Sequence, residues 1–489
     1  MTETSSATIP LCVDLDGTLI RTDMLLETLI LLLKWKPWCV FLLPFWLLQG
    51  KAVLKRRLAE RVQFDPACLP YRTDLLDFLR AERAAGRMLV LATASDRLVA
   101  EKIGHHLALF DEVIASEPGS NRKGSAKLAV LRQRFPQGFD YAGDSAADLP
   151  LWKYARRSVV VDAAPRLQRA AGGGSHLERI FSTPKKPLWS RLVSALRVHQ
   201  WAKNLLIFVP VITSHRISDP HSMAAAYLAF TAFCLCASSV YIINDMLDLE
   251  ADRRHDSKRR RPFAAGTLPL TAGFALIPCL LAGAGIFASF LPRATIAVLA
   301  LYFILTLAYS FYFKRKLLLD VFALSALYSI RIVAGHTATG IPFSPWLLSF
   351  AIFFFLSLAF IKRVSELRKL RSAGGQTPHG RSYQPTDLEQ LNIFGVASGF
   401  LSALVFAFYI NSDAVLPLYR HPPVLWLMCP LLLYWMSRIW IISSRGNLNE
   451  DPILFAIKDP VTYYVAILSA LLLLVASRDW PALERLGIR

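Results

Sequence analysis

Asn244-Asp245-Met246-Leu247-Asp248-Leu249-Glu250-Ala251-Asp252 lies between two long apolar runs and is followed at once by Arg253, Arg254, His255, Lys258, Arg259, Arg260 and Arg261. On a helix, Asp245, Asp248 and Asp252 stand three and four residues apart and share one face. Carboxylates on one face repel unless a cation sits among them. Hard oxygen ligands at this spacing suit Mg2+, which keeps some waters and takes substrate phosphates as its other ligands. The basic run beside them offers partners for further phosphate oxygens. Ionisable residues at a membrane boundary mark function. The stretch therefore reads as a diphosphate site, with Asn244 placed to orient an aspartate or to ligate metal.

Composition sets the surroundings. Of 489 residues, 54% are hydrophobic, and the mean hydropathy is positive, as in a membrane protein too long for one ordinary domain. The net charge is +19. Its Lys and Arg residues cluster at the ends of apolar runs, which is topology and anionic-substrate patterning. No zinc finger, helix-turn-helix or aromatic-basic interleaving is present, so no nucleic acid is expected as a partner. The seven cysteines are scattered without a CxxC pair and read as reduced core thiols. Met1 to Pro10 is polar, and Asp14 and Asp16 interrupt the apolar run that follows, so a signal peptide is not expected.

Apolar runs follow near 204–218, 222–243, 271–291, 294–313, 317–339, 345–361, 392–410, 423–443 and 461–477, predicting an all-α polytopic bundle of about nine transmembrane helices. With the N-terminus inside, the inside loops carry Arg253 to Arg261, Lys314-Arg315-Lys316, and Lys362-Arg363 through Arg371. The outside loops carry isolated charges such as Arg216, Arg293 and Arg420. This positive-inside pattern predicts a multi-pass protein of the inner (cytoplasmic) membrane, with the Asp stretch on the cytoplasmic side.

Over about residues 190 to 480 the chain resembles the UbiA superfamily of intramembrane prenyltransferases, through the NDxxDxxxD motif at Asn244 to Asp252. His255, Lys258 and Arg261-Pro262 extend it to the pattern of one branch, the decaprenyl-phosphate phosphoribosyltransferases. Pro345 to Phe350, Phe353 to Ala359, Lys362 to Leu367 and Asp451 to Asp459 also resemble that branch. The superfamily's second motif, DxxxD, is reduced here to Asp320, with Leu324 where the second Asp would stand. Fewer carboxylates beside more cations suit a donor with more phosphates. The resemblance implies that Asp245, Asp248 and Asp252, with Asp320, hold Mg2+ on the diphosphate of phosphoribosyl diphosphate. A polyprenyl phosphate would attack ribose C1, which gains oxocarbenium character. Lys258, Arg261, Lys362 and Arg363 are candidates for the remaining phosphates, and Tyr383, in Gly380-Arg381-Ser382-Tyr383, for a hydrogen bond to the donor. The alternative is a UbiA-type aromatic prenyltransferase, moving a prenyl group from its diphosphate to a 4-hydroxybenzoate-like ring.

The first third reads differently. Leu11 to Val13 is a buried strand ending in Asp14-Leu15-Asp16-Gly17-Thr18; two Asp one residue apart point the same way, and Gly17 lets the chain turn. Met88 to Ala92 is a second strand, ending in Thr93-Ala94-Ser95. Lys123 and Lys127 follow, then Phe139 to Gly143 leading into Asp144 and Asp148. Helical patterns lie between, so an α/β doubly wound parallel sheet is predicted, with its site at the strand carboxyl ends. The ordered set, over residues 8 to 180, resembles the haloacid dehalogenase-like (HAD-like) phosphatases. That resemblance implies Asp14 as nucleophile and Asp16 as general acid then base. Thr93 and Lys127 would act on the phosphoryl group. A second Mg2+ would lie at Asp14 and Asp144, with Asp16 and Asp148 in or behind that carboxylate set.

Between the first two motifs, within an apolar cap insertion at 25–60, Leu25 to Gln49 is divided by Lys34, Lys36 and Pro37 into two runs too short to cross a bilayer. It predicts a helical hairpin in the membrane interface, with Trp35, Trp38 and Trp46 at headgroup level and Lys51, Lys55, Arg56 and Arg57 toward anionic lipid, or a cap helix buried against the membrane domain. Ala171 to Ser175 and Thr183 to Pro187 mark a boundary, and Leu188 to Asn204 predicts a basic amphipathic helix on the membrane surface. The expected organisation is a phosphatase domain at 1–180, a linker and interfacial helix at 181–203, and a transferase domain at 204–489. The expected function is bifunctional. Phosphoribose passes to a polyprenyl phosphate, and the N-terminal domain then removes the 5-phosphate, toward lipid-linked arabinose for envelope glycans.

Overall fold

The computed structural model describes residues 9–478 except 118–119, 121, 174–175, 185, 373–381, 414, 416, 447 and 449–451. Asp451, Gly380-Arg381 and Gly174-Ser175, all used above, lie outside the described residues. The chain forms two compact units, Met1–Arg197 with Tyr241–Pro278, and Val198–Val240 with Cys279–Arg489.

The first unit is built on a parallel sheet of β1 (Leu11–Val13), β2 (Leu89–Asp96), β3 (Glu112–Ser116), β4 (Asp140–Gly143), β5 (Arg157–Val161) and β6 (His176–Phe181), in the order β3-β2-β1-β4-β5-β6. Alternate strand residues enter two different cores. Leu11, Val13, Leu89, Leu91, Val159 and Val161 fill one face, and Cys12, Val90, Ala92, Tyr141 and Val160 the other. Burial on both faces is why these strands read as unbroken apolar runs rather than as alternation. β1 pairs with β2 on one side and β4 on the other. The strand order reverses there, which opens the crevice where such sheets bind ligands. The doubly wound expectation is met.

The insertion after β1 begins with a helix, Met24–Trp35, capped by the Asp23 carboxylate, which accepts from the Leu25 and Leu26 amides. Its Ile30, Leu31 and Leu32 are buried. The second run, Pro37–Leu42 as 3-10 turns and Leu43–Leu48 as a short helix, is turned outward, with Trp38 80% and Leu48 85% exposed. The two expected halves are therefore unlike. Trp46 also departs from its expected headgroup position. It is 7% exposed, packs with Leu32 and Leu58, and carries Arg61 over its ring at 4.9 Å.

Among the described residues, eight helices are long and apolar enough to cross a membrane: Pro220–Leu247, Leu270–Ser289, Arg293–Arg315, Leu319–Thr339, Pro345–Lys369, Pro385–Ile410, Pro422–Ser444 and Pro460–Ser477. Several present almost unburied apolar surface, as a multi-pass membrane protein does. The expected span at 204–218 is not a continuous helix. Val198–Phe208 winds as 3-10 turns and Val209–Thr213 is one short α-helical piece with Pro210, which lacks an N–H to donate, in its first turn. The predicted surface helix also stops early, at Leu196, because Arg197 takes a left-handed φ of 51°. Within the second unit, small residues let helices close on one another. The Ser357 hydroxyl donates to the Gly395 carbonyl at 2.7 Å and accepts from the Trp440 indole at 3.0 Å.

Candidate active sites

Asp14 follows β1, and its backbone N–H donates to the Ala142 carbonyl of β4 at 3.0 Å, so the nucleophile candidate is fixed to both central strands. Its Oδ1 accepts from the Leu15 amide and from Lys127 Nζ, each at 2.9 Å. That leaves Oδ2 as the oxygen able to attack. Lys127 is 3% exposed and also donates to the Tyr141 hydroxyl at 2.9 Å, which donates in turn to Asp148 at 2.9 Å. Asp148 is further held by the Ser145 amide and hydroxyl at 3.1 and 3.0 Å. A buried chain of charge-assisted bonds thus runs Asp14–Lys127–Tyr141–Asp148. Of the two lysines left open by spacing, Lys127 meets Asp14; Lys123 lines the same cavity.

Asp14, Asp144 and Asp148 each bring an oxygen within 4.8 Å of the others. Burial drives the Asp14 carboxyl up against the opposing pull of Lys127. Burial, then Asp14 and Asp148, push Asp144 up to about 7. Crowded carboxylates held apart from water are the donor set a hard cation relieves, so these residues fit Mg2+. Gly17, with φ of +78°, is required beside them, because a Cβ there would strike the Asp144 carboxylate. Asp16 does not join this group. Its oxygens accept from the Met24 amide at 2.8 Å and the Ser95 hydroxyl at 2.7 Å. Burial and Asp23 push its carboxyl up to about 7. Thr93 is fully buried and its hydroxyl accepts from the Ser95 amide at 3.0 Å; Ser95, two residues on, lines the cavity.

The Asp stretch belongs to the same unit. The helix Pro220–Leu247 ends before Asp248, and a new one, Leu249–Arg254, begins after it. At Asp248 the backbone leaves helical dihedrals, with ψ of 19°, while the Asp248 and Asp252 amides still donate to the Asn244 and Asp248 carbonyls. Asp245 and Asp252 stay together, bridged by Arg261 at 3.2 and 2.6 Å, and Arg197 also pairs with Asp245. Asp248 turns to Lys34, at 3.4 Å. Asp245 and Asp252 fit a cation. Asp245 Oδ2 is buried with no hydrogen-bond partner among the described residues, and a guanidinium stands between Asp245 and Asp252. Asn244 is half-buried beside them, and Lys258 is exposed.

The stretch is tied to the insertion after β1 by Arg253, whose guanidinium grips both oxygens of Glu27 at 2.6 and 3.2 Å, and by Arg254, 2.7 Å from Asp65. Sequence reasoning missed Glu27, Tyr141, Ser95 and the pairing of Arg197. Glu27 stood out as a carboxylate inside an apolar run, the one signal that could have found it.

In the second unit, Asp320, Arg363 and Tyr383 are brought together, but with each other. Arg363 Nε lies 2.6 Å from Asp320 Oδ2, the Tyr383 hydroxyl donates to Oδ1, and Arg363 also bonds Tyr309, at 3.1 Å, and Glu366. All three are within 1% of full burial. Asp320, Arg363 and Tyr383, expected to meet metal or substrate, thus form one buried polar cluster. Lys362 is half-buried next to Arg363.

Residues 206–458 match the UbiA prenyltransferase family and residues 11–153 match the haloacid dehalogenase-like hydrolases. The chain is similar to "Uncharacterized protein y4nM" of Sinorhizobium fredii, with 40% identity over 94% of this chain and 90% of that one. It is similar to "Nodulation protein NoeC" of Azorhizobium caulinodans, 36% identical over 54% of this chain and 86% of the other. To the decaprenyl-phosphate phosphoribosyltransferase of Mycolicibacterium smegmatis it is 40% identical over 40% of this chain and 62% of the other. With an Asp-rich helix break among apolar helices and a nucleophile-bearing parallel sheet ahead of it, the chain belongs to the UbiA prenyltransferase family and carries a haloacid dehalogenase-like hydrolase domain.

Proposed function

We propose that the protein transfers 5-phosphoribose from phosphoribosyl diphosphate to a polyprenyl phosphate and then hydrolyses the 5-phosphate of the product. The observation that carries the transferase half is the mixed charge at the Asp stretch, where Arg197, Arg261 and Lys34 interleave with Asp245, Asp252 and Asp248. A donor with three phosphates needs cations as well as carboxylates, and the name of the mycobacterial relative agrees. Asp245 and Asp252, with Asp248 beside them, would hold Mg2+, which screens the diphosphate charge as it departs. Arg197, Arg261 and Lys258 bind phosphate oxygens. The C1–O bond to diphosphate breaks, and a phosphate oxygen of the acceptor forms the new bond to C1.

For the phosphatase half, Asp14 and Asp144, backed by Asp148, would hold a second Mg2+. Asp14 Oδ2 attacks the phosphorus of the monoester, and the leaving alkoxide takes the proton of Asp16. With its carboxyl near 7, Asp16 still carries that proton close to neutral pH. It then takes a proton from water, whose oxygen attacks the aspartyl-phosphate and releases inorganic phosphate. Lys127 holds Asp14 and offsets the phosphoryl charge, while Thr93 supports the Ser95 backbone. The site works at the cytoplasmic face of the inner membrane, where the exposed Trp38 and Phe41 of the insertion meet lipid. The product would feed lipid-linked arabinose for envelope glycans.

The test is purified protein with Mg2+, polyprenyl phosphate and radiolabelled phosphoribosyl diphosphate, followed by lipid extraction and chromatography. Two labelled lipids are expected, and the phosphorylated one alone from Asp14→Asn. Label that never enters lipid, together with prenylation of an aromatic acid, would overturn the reading.

A further inference from the structure

The cavity that holds Asp14 and Asp16 has a volume of about 550 Å³, more than a phosphoryl group fills. Besides the carboxylates, Arg21, Lys51 and Lys123 line it, as do Leu26, Leu47 and Leu54. Arg21, Lys51 and Lys123 form no ion pair among the described residues, whereas Lys127 beside them is paired with Asp14. Arg21 Nε is buried with no hydrogen-bond partner among the described residues. A guanidinium donor shut from water without an acceptor costs stability unless a ligand supplies the acceptor.

Arg21 also has a fixed place. Its backbone N–H donates to the Pro70 carbonyl at 3.0 Å, and Gly266 packs so closely on it that a Cβ at 266 would strike its main chain. A second cavity, of about 480 Å³, shares Gly17, Arg21, Asp144 and Pro269 with the first. It also takes in Arg191, whose Nε is likewise buried without a hydrogen-bond partner among the described residues. Arg21 therefore stands where the two spaces adjoin, beside the catalytic carboxylates and outside them.

We propose that Arg21 reads a second, non-scissile phosphate on the phosphatase substrate, with Lys51 and Lys123 completing the anion site and the leucines receiving an apolar tail. A planar guanidinium with several donors suits phosphate oxygens. The inference rests on the phosphatase reading and deepens it, by naming the residues that bind the phosphate the enzyme leaves in place. That group is the phosphodiester of a lipid-linked sugar phosphate or the second phosphate of a free sugar bisphosphate.

The experiment compares full-length protein with its Arg21→Gln and Arg21→Lys variants on p-nitrophenyl phosphate, ribose 1,5-bisphosphate and a short-chain prenylphosphoryl ribose 5-phosphate. Arg21→Gln is expected to lower kcat/KM about tenfold or more on a two-phosphate probe, chiefly through KM, and to leave p-nitrophenyl phosphate within about twofold. Arg21→Lys should recover part of the loss. A loss on the prenyl probe alone identifies the lipid phosphodiester as ligand, and a loss on both identifies either phosphate. An equal loss on all three probes, or none on any, overturns the proposal. Hydrolysis of p-nitrophenyl phosphate by wild type but not by Asp14→Asn keeps the phosphatase reading standing in that event. No hydrolysis of any probe by wild type removes both.

Discussion

Removing one oxygen, by Tyr141→Phe, tests the buried chain behind the phosphatase site. The ring is fully buried and its hydroxyl accepts from Lys127 and donates to Asp148, both at 2.9 Å. Phe keeps the ring packing, so the change isolates two hydrogen bonds to charged groups, each of about 1.5–3 kcal/mol. If one of them bears on the placement of Lys127 against Asp14, the rate falls about 10- to 150-fold. Lys127 keeps Asp14 as a partner, so the protein should remain folded. The assay is p-nitrophenyl phosphate hydrolysis by full-length protein, with phosphoribosyl transfer as the internal control for folding. The loss should appear in kcat, because the hydroxyl is not placed to touch substrate. A kcat within about twofold of wild type would refute the idea that the chain positions Lys127.

Other expectations follow from the same geometry. Asp245→Ala should abolish label transfer to lipid while sparing p-nitrophenyl phosphate hydrolysis; loss of both would mean a folding defect. Arg363→Met should lower thermal stability and not merely activity, since it leaves Asp320 buried and short of its cation, a cost of about 3–5 kcal/mol. Gly17→Ala should remove phosphatase activity, because the added carbon meets the Asp144 carboxylate. Asp16 and Asp144 hold protons more tightly folded than unfolded, from an ordinary value of 3.8 to about 7. Their contribution to stability is therefore present below the ordinary value and is lost as pH rises through about 7 in metal-free protein. Mg2+ should raise the melting temperature more above neutrality than below it; an equal rise at both would count against the carboxylate cluster as its site.

The sheet was legible because strands buried on both faces leave continuous apolar runs, and because Asp14, Lys127, Asp144 and Asp148 follow such strands or helix starts at readable spacing. Tyr141 was not legible. Its hydroxyl lies within an apolar strand, and only the fold shows it between Lys127 and Asp148. The Asp stretch was legible as a cluster of charge but not as a shape, since the spacing of Asp245, Asp248 and Asp252 assumes a helix that breaks at Asp248. The pairing of Asp320 with Arg363 was not legible either, because a lone carboxylate among apolar residues does not name its partner.

The clasp of Arg253 on Glu27 has a consequence for how this gene can be cut. Glu27 is 3% exposed and its partner is more than two hundred positions away along the chain. A fragment ending near residue 200 would keep the carboxylate and lose the guanidinium, and the complementary fragment would do the reverse. Each would carry a stranded charge on a surface that neither half normally shows to water. Separate expression of the two catalytic halves should yield insoluble or proteolysed products, and fission of such a gene during evolution would need Glu27 and Arg253 to change together.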